Sequence, residues 1–585
     1  MFSVLIKLNW FFKKQWKQYA VAFILLLLAS VLEVIPPMIV GRAIDDIFFG
    51  MLSPEKFIYY IGVLIIGAIF NYIFTYKWQY HLFGGSFVLE RMMRSRMMRH
   101  FLKMSPIFYE KNRTGDLMAR ATNDLTAIST TAGYGILTLL DSTLYMMTIL
   151  ITMSVLVSWK LTLAAIIPLP LLAYGTKILG DQIHKKFIEA QDAFGDMNDR
   201  VLESVEGIRV VRAYNRERYE EKEFAKMTQD VFQKNMLVEK IDAFFFPLTR
   251  ILTGASFCIG LSYGTYLVIH QEITLGELVA FNVYLGMLTW PMFAIGELIN
   301  VMQRGNASLD RVQEILDYKE EISDPKNPIR LDELSSITFH DLSFQYPSSS
   351  SNNLEHISLK IQEGQTIGIV GKTGSGKTTL IKQILREYPL GKGDLLFSDV
   401  SIKKQTKKDI RQRIGYVPQE PFLFSKTIKE NILFGNSDAT EEELKRAIML
   451  ADFDKDLARM PDGLDTLVGE KGVGLSGGQK QRISIARALI KDPELLILDD
   501  ALSAVDAKTE AKIIQNIKEN RKGKTTLIST HRLSAVEHAH WIIVLEDGKV
   551  VEEGTHADLI RKNGWYKEQY ERQKVTEALQ QEVTT

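Results

Sequence analysis

Long apolar runs dominate the first half of the chain. A bilayer core of roughly 30 Å is crossed by about 20 helical residues, and the runs that reach this length lie at residues 19–41, 57–80, 133–158, 161–180, 244–269 and 276–301. Pro36 and Pro37 predict a kink just beyond Glu33, because proline lacks an amide hydrogen and clashes with the preceding turn. The pattern predicts an α-helical membrane domain of six transmembrane helices, spanning residues 19–317 with long cytoplasmic extensions.

Positive charge between these runs predicts their orientation. Arg and Lys cluster in two long connections, at 91–120 and 185–218, whereas the connections at 42–56, 159–160 and 270–275 are short and poor in positive charge. Because cytoplasmic loops carry an excess of Lys and Arg, we expect both termini and both long connections in the cytoplasm.

The first 18 residues mix four lysines with Phe and Trp. This composition predicts an amphipathic helix at the inner membrane interface, and the alternative is a mobile tail.

Short strands and charged helices alternate in the second half of the chain, as they do in α/β domains. Residues 318–336 are polar and contain Pro325 and Pro328, which predicts a linker. We expect an α/β domain over residues 337–572, followed by a polar tail at 573–585.

A glycine-rich loop reads GKTGSGKT from Gly371 to Thr378. An apolar strand pattern precedes it and a helical pattern follows it, which is the context that a phosphate-binding loop needs. Glycines let successive amides curl round phosphates, and the helix N-terminus adds positive potential. The predicted ATP-binding residues of this segment are Gly371, Thr373, Gly374, Ser375, Gly376, Lys377, Thr378 and Thr379.

Polar residues at the ends of other apolar strands predict further contacts to a nucleotide. Asp499 ends the strand pattern Leu495–Leu498, where a carboxylate can hold Mg²⁺. Gln419 and His531 follow two more short strands, and His531 is a candidate for contact with a γ-phosphate. Tyr346 either stacks on adenine or is a tyrosine at the edge of the core.

A second anion-binding element is the sequence Leu475–Ser–Gly–Gly–Gln479, at the start of a helical pattern. The chain therefore carries two surfaces for phosphate.

Composition narrows the classes of partner. Lys plus Arg and Asp plus Glu each number 70, and zero net charge argues against a nucleic-acid partner. Cys258 is the one cysteine, which excludes an intramolecular disulfide framework and a cysteine-rich metal site.

Glu33, Asp141 and Glu297 lie within the apolar runs; they indicate either a cavity for cationic or polar amphiphiles or hydrogen bonds between helices.

The motifs, in their order along the chain, resemble those of the ATP-binding cassette family, and the whole chain resembles a half-size exporter of that family (type I exporter, type IV fold). The resemblance implies ATP and Mg²⁺ as ligands. It assigns Tyr346 to adenine and His531 to the γ-phosphate. The residues implied for Mg²⁺ are Thr378, Gln419 and Asp499, and those that cap the ATP of a partner subunit are Leu475, Ser476, Gly477, Gly478 and Gln479.

Two cytoplasmic segments, Phe108–Leu117 and Arg209–Asn215, resemble the coupling helices of such exporters. Lys471, with Gly469, Glu470 and Gly472, resembles the loop that contacts them.

One position departs from the family pattern. Asp500 stands where the family has a catalytic Glu, and its carboxylate is set back by on the order of 1 Å, a misplacement that can cost about a hundredfold in rate. We expect a heterodimer with a second half-transporter, in which this chain's own ATP site is slow; the alternative is that Asp500 works normally.

The predicted function is ATP-driven export of amphipathic compounds, including multiple drugs, across the cell membrane by a multi-pass protein. A lipid or peptide exporter is an alternative from the same machinery, and an ATP-gated channel or regulatory sensor is one from a different class.

Overall fold

The computed structural model describes residues 2–469 and 474–584. The chain divides into two compact units: the first comprises Met1–Leu102 and Thr114–Tyr318, and the second comprises Lys103–Arg113 and Lys319–Thr585.

The first seventeen α-helices lie before residue 317, and all but α6 belong to the first unit. In chain order they are α1 (Ser3–Lys7), α2 (Asn9–Lys14), α3 (Trp16–Glu33), α4 (Ile35–Phe48), α5 (Pro54–Phe101), α6 (Pro106–Lys111), α7 (Thr114–Ala119), α8 (Leu125–Thr130), α9 (Ile136–Leu140), α10 (Met146–Thr152), α11 (Trp159–Ile166), α12 (Pro168–Glu206), α13 (Ile208–Ala213), α14 (Glu217–Asp242), α15 (Phe245–Ile269), α16 (Leu275–Met287) and α17 (Thr289–Leu316). Short π-helical turns join α7 to α11, at Arg120–Asp124, Thr131–Gly135, Asp141–Tyr145 and Met153–Ser158.

Five helical runs of the described residues are long and apolar enough to cross a membrane: Trp16–Phe48, Pro54–Phe101, Thr114–Ile166, Glu217–Ile269 and Leu275–Leu316. They include every predicted segment except 161–180. That segment is divided between α11 and α12, because helical pairing is interrupted before Pro168. Polar residues follow Tyr174, so the apolar part of α12 is short. A multi-pass helical membrane domain is therefore established, and the sixth crossing stays a prediction.

The predicted kink beyond Glu33 is confirmed. α3 ends at Glu33 and α4 begins at Ile35, with its prolines in the first turn. The Tyr284 hydroxyl donates a hydrogen bond of 2.6 Å to the carbonyl oxygen of Val34, the residue between the two helices.

The N-terminal residues form α1 and α2, and the boundary expected at residue 18 falls inside α3. Val4, Leu8 and Phe11 are fully buried in one apolar cluster of the first unit, and Lys7 pairs with Asp310.

The second unit is an α/β domain with two sheets. A four-stranded antiparallel sheet has the order β2-β1-β4-β5, and a six-stranded sheet has the order β10-β9-β3-β8-β7-β6. In the larger sheet only the β10–β9 pair is antiparallel. The strands are β1 (Ser336–Phe344), β2 (Leu354–Gln362), β3 (Thr366–Val370), β4 (Lys392–Phe397), β5 (Val400–Ser401), β6 (Ile414–Val417), β7 (Leu495–Asp499), β8 (Thr525–Ser529), β9 (Trp541–Glu546) and β10 (Lys549–Gly554).

The helices of this unit, besides α6, are α18 (Lys377–Ile384), α19 (Lys407–Gln412), α20 (Ile428–Leu433), α21 (Glu441–Leu450), α22 (Asp454–Leu457), α23 (Gly477–Leu489), α24 (Ala507–Asn520), α25 (His556–Arg561) and α26 (Trp565–Thr584). The boundary expected between residues 572 and 573 lies within α26.

Helices cover both faces of the larger sheet. All five residues of β7 are buried. Leu496 and Leu498 belong to the core that includes α23, whereas Leu495 and Ile497 belong to the core that includes α18. Burial on both faces explains why this strand is apolar throughout, and it brings Asp499 to the carboxyl edge of the sheet.

Candidate nucleotide-binding site

The glycine-rich loop lies between β3 and α18, as predicted, and two of its glycines are required by geometry. Gly371 has φ of +149° and Gly376 has φ of +105°, values that disfavour residues with a Cβ. A Cβ added to Gly371 would lie 2.1 Å from the Leu545 carbonyl oxygen, and one added to Gly376 would lie 2.9 Å from that of Asn353. Neighbouring backbone therefore leaves room only for glycine here.

Lys377 begins α18 and is only 6% exposed. Its ammonium donates hydrogen bonds of 2.8 Å to the Gly371 carbonyl and 2.9 Å to the Lys372 carbonyl. Burial lowers the pKa of Lys377, while the nearby carboxylates of Asp500 and Asp499 act in the opposite direction. The loop thus holds a buried cation against its own backbone.

Asp499 and Thr378 meet at the edge of the sheet. The Thr378 hydroxyl donates 3.1 Å to Oδ1 of Asp499, which is 1% exposed. The Oδ2 atom of Asp499 has no hydrogen bond of ordinary geometry. The nearby Ser529 hydroxyl favours the charged form of the Asp499 carboxylate and so acts to lower its pKa. Burial raises the pKa of Asp499. A buried carboxylate with an unsatisfied oxygen beside a hydroxyl fits a divalent cation such as Mg²⁺, whose ligands are oxygen atoms.

Asp500 follows directly and has φ of +48°, a left-handed conformation that Asp tolerates better than most residues. Its amide donates 2.8 Å to the Ser529 carbonyl. Its half-buried carboxylate interacts with Lys377.

Sheet topology brings Gln419 and His531 to the same edge. β6 and β8 flank β7 in parallel, and each of these residues lies two positions beyond the end of its strand. Because carboxyl ends of parallel strands share one edge, Gln419, Asp499 and His531 form a row there. Gln419 is exposed and His531 is half-buried.

Tyr346 lies two residues past β1, and its hydroxyl donates 3.2 Å to the Thr379 hydroxyl on α18. Its ring meets the edge of Tyr388 at 4.9 Å, and the Lys382 ammonium lies 5.6 Å from the centre of each ring. Of its predicted roles, the contact with adenine stays a prediction.

The predicted anion-binding sequence Leu475–Gln479, called the signature segment from here on, caps α23. The Ser476 hydroxyl accepts from the Gln479 amide at 3.3 Å, and the Gln479 side chain accepts from the Ser476 amide at 2.9 Å. Leu475 packs on the core, whereas Ser476 and Gly477 are exposed. A Cβ on Gly478 would lie 3.0 Å from the Ala504 carbonyl oxygen. The helix N-terminus is thus open to an anion.

Hydrogen bonds connect this helix to Asp500. The Gln481 side chain accepts from the Ala504 amide at 2.9 Å and donates 3.1 Å to the Ser503 hydroxyl, which donates 2.9 Å to the Asp500 carbonyl. No sequence pattern indicated this connection.

Glu33 and Asp141 line one cavity of about 700 Å³ in the first unit. Trp290 donates its indole hydrogen to Asp141 at 2.9 Å, and Trp78 and Tyr145 line the same cavity. Glu297 does not line it and lies 3.8 Å from Arg304. Two of the three predicted cavity residues therefore lie together.

Sequence patterns assigned no role to Glu110, which lies in α6, the segment resembling a coupling helix. The Tyr388 hydroxyl donates to Glu110, and both lie in the second unit. No local pattern marks either residue. The loop expected around Lys471 has only Gly469 among the described residues; Glu470, Lys471 and Gly472 lie outside them.

Two family models match the chain: "ABC transporter transmembrane region" over residues 19–292 and "ABC transporter" over residues 354–503. The chain is 60% identical over 98% of its length to the probable multidrug resistance ABC transporter ATP-binding/permease protein YheI of Bacillus subtilis (strain 168), 98% of which is covered. It is 39% identical to the multidrug resistance-like ATP-binding protein MdlA of Escherichia coli (strain K12), with 98% of this chain and 97% of MdlA covered.

Among solved structures, that of a bacterial Atm1-family ABC exporter with ATP bound superimposes with a TM-score of 0.79 at 25% identity. The superposition covers 95% of this chain and 99% of that one.

Proposed function

The chain belongs to the ABC transporter family, as a half-transporter with a membrane domain and an ATP-hydrolysing domain, and from this premise we propose that it exports amphipathic compounds as one subunit of a heterodimer. Six helices cross the cell membrane, with both termini in the cytoplasm. The inference of a heterodimer rests on Asp500, which stands where the family has Glu and lies beside Lys377 and Asp499.

In this proposal Lys377 and the loop amides bind the phosphates of ATP, and Tyr346 stacks on its adenine. Thr378, Asp499 and Gln419 hold Mg²⁺, which neutralises charge on the phosphates when bound. His531 orients the γ-phosphate. The exposed N-terminus of α23, with Ser476 and Gly477, caps the ATP held by the partner subunit.

Asp500 is the general base of this chain's own site in the same proposal. A carboxylate one methylene short holds the attacking water less well, so the site turns over slowly. The partner supplies Glu at the equivalent position, and the signature segment of this chain completes that faster site.

Hydrolysis by the purified chain alone tests this assignment. We expect slow ATP turnover by the wild type, about a hundredfold faster turnover by Asp500→Glu, and none by Asp500→Asn. Asp492→Glu is the matched control, because Asp492 also has a left-handed φ, of +46°, and lies in the same unit. Wild-type turnover as fast as that of Asp500→Glu would remove the case for a slow site.

The substrate class rests on the cavity with Glu33 and Asp141. Two carboxylates beside aromatic rings at membrane depth favour amphiphiles that carry positive charge. In vesicles, Glu33→Gln with Asp141→Asn should reduce efflux of the cationic dye ethidium about tenfold or more, through loss of charge-assisted contacts. Glu297→Gln, off this cavity, is the control. Equal loss for a neutral dye of similar size would contradict selection by charge.

A further inference from the structure

We propose that Gln573, on α26, is a positioning residue for His531. Its side-chain amide forms hydrogen bonds with two backbone groups of the segment that follows β8. Nε2 donates 2.8 Å to the carbonyl oxygen of His531, and Oε1 accepts 2.9 Å from the amide of Leu533. One planar side chain thus satisfies a carbonyl and an amide on either side of Arg532.

This segment has few other restraints at His531. The Thr530 amide is fixed to the Ile369 carbonyl at 3.1 Å, and the Arg532 amide to the Thr530 hydroxyl at 3.0 Å. The Gln573 side chain forms hydrogen bonds with both the His531 carbonyl and the Leu533 amide. Orientation of the peptide that carries the imidazole therefore depends on α26.

The base of α26 is itself anchored, so Gln573 can act as a fixed point. Tyr566 is fully buried, and its hydroxyl lies 2.8 Å from Nδ1 of His556. The Trp565 amide donates 2.5 Å to the Glu552 carboxylate. Gln573 lies two turns further along the same helix, so these contacts also hold its backbone in place.

The chemistry requires glutamine. A carboxylate at residue 573 keeps the acceptor for Leu533 but replaces the donor with an oxygen that repels the His531 carbonyl. Alanine removes both bonds. Gln573 touches no reacting atom; it acts on hydrolysis through His531, so the inference rests on the proposed contact between His531 and the γ-phosphate.

The experiment is a double-mutant cycle on the full chain in nanodiscs, with kcat and KM for ATP measured separately. We expect Gln573→Ala to lower kcat about 10- to 100-fold with little change in KM, as for a catalytic group displaced by on the order of 1 Å. Gln573→Glu should also lower kcat. Val575→Ala, at an exposed position on the same helix, should leave both unchanged.

The second arm places Gln573→Ala in a His531→Ala background, where it should have no further effect if Gln573 acts only through His531. An unchanged kcat in Gln573→Ala, or an additional loss in the His531→Ala background, would overturn the inference. If His531→Ala itself leaves kcat unchanged, the proposed role of His531 fails as well. Gln573→Met keeps the side-chain length without the amide and replaces Gln573→Ala if that variant does not fold.

Discussion

Tyr388→Phe separates the hydrogen bond to α6, the segment that resembles a coupling helix, from the geometry of the nucleotide-binding loop. The substitution removes the hydroxyl that donates to Glu110 and keeps the ring, which is 1% exposed. The ring contacts of Tyr388 with Tyr346, at 4.9 Å, and with Phe344, at 5.8 Å, do not involve the hydroxyl. Burial, and then the hydrogen bond to Glu110, raise the pKa of Tyr388, so the donor keeps its proton at physiological pH.

The size of the effect follows from the charge of the acceptor. A hydrogen bond to a charged group contributes about 1.5–3 kcal/mol. Because Glu110 is exposed, its carboxylate is rehydrated when the hydroxyl is lost, which favours the lower end of this range. About 1.5 kcal/mol is roughly a tenfold shift in the equilibrium that holds α6 on its unit.

The assay compares ATP consumption with dye efflux in proteoliposomes that contain the assembled transporter. We expect the KM for ATP to stay within about twofold and the efflux per ATP hydrolysed to fall several-fold, toward the roughly tenfold limit set by the lost hydrogen bond. In a Glu110→Ala background, Tyr388→Phe should add nothing, since its partner is already gone. Unchanged efflux per ATP, or a large rise in KM, would refute the reasoning.

Three further predictions address the loop, the pH dependence and the helix packing. Lys377→Ala should weaken binding of a fluorescent ATP analogue about tenfold or more, because charge-assisted hydrogen bonds to phosphate are lost. Burial lowers the pKa of His538 in the folded protein. As the pH drops below about 6.5, the unfolded chain therefore binds a proton at this residue before the folded chain does, and the melting temperature should fall. His538→Gln should make that fall in melting temperature smaller. Gly276→Ala should destabilise the first unit by about 1–3 kcal/mol, since the added Cβ would lie 1.8 Å from the Gly41 carbonyl oxygen, whereas Gly296→Ala has open space; detergent melting curves compare them.

Local sequence determined the parts of this protein whose chemistry is contiguous. The loop from Gly371 to Thr378 needs particular backbone angles within a few residues, and glycine alone supplies them, so the motif was readable. The break beyond Glu33 and the apolar strand ending in Asp499 follow from proline chemistry and burial in the same way. Apolar length likewise predicted a membrane domain, although the run at 161–180 did not form one continuous helix.

Only the tertiary structure decided which distant side chains meet. Tyr388 reaches Glu110 across 278 positions of sequence, and Gln573 reaches the His531 carbonyl across 42. Composition alone assigned residues 573–585 to a polar tail, because a half-buried glutamine that holds a backbone segment has the same sequence pattern as a solvated one. Such pairings depend on how helices and strands close on one another, and neither hydrophobic period nor local motif carries that information.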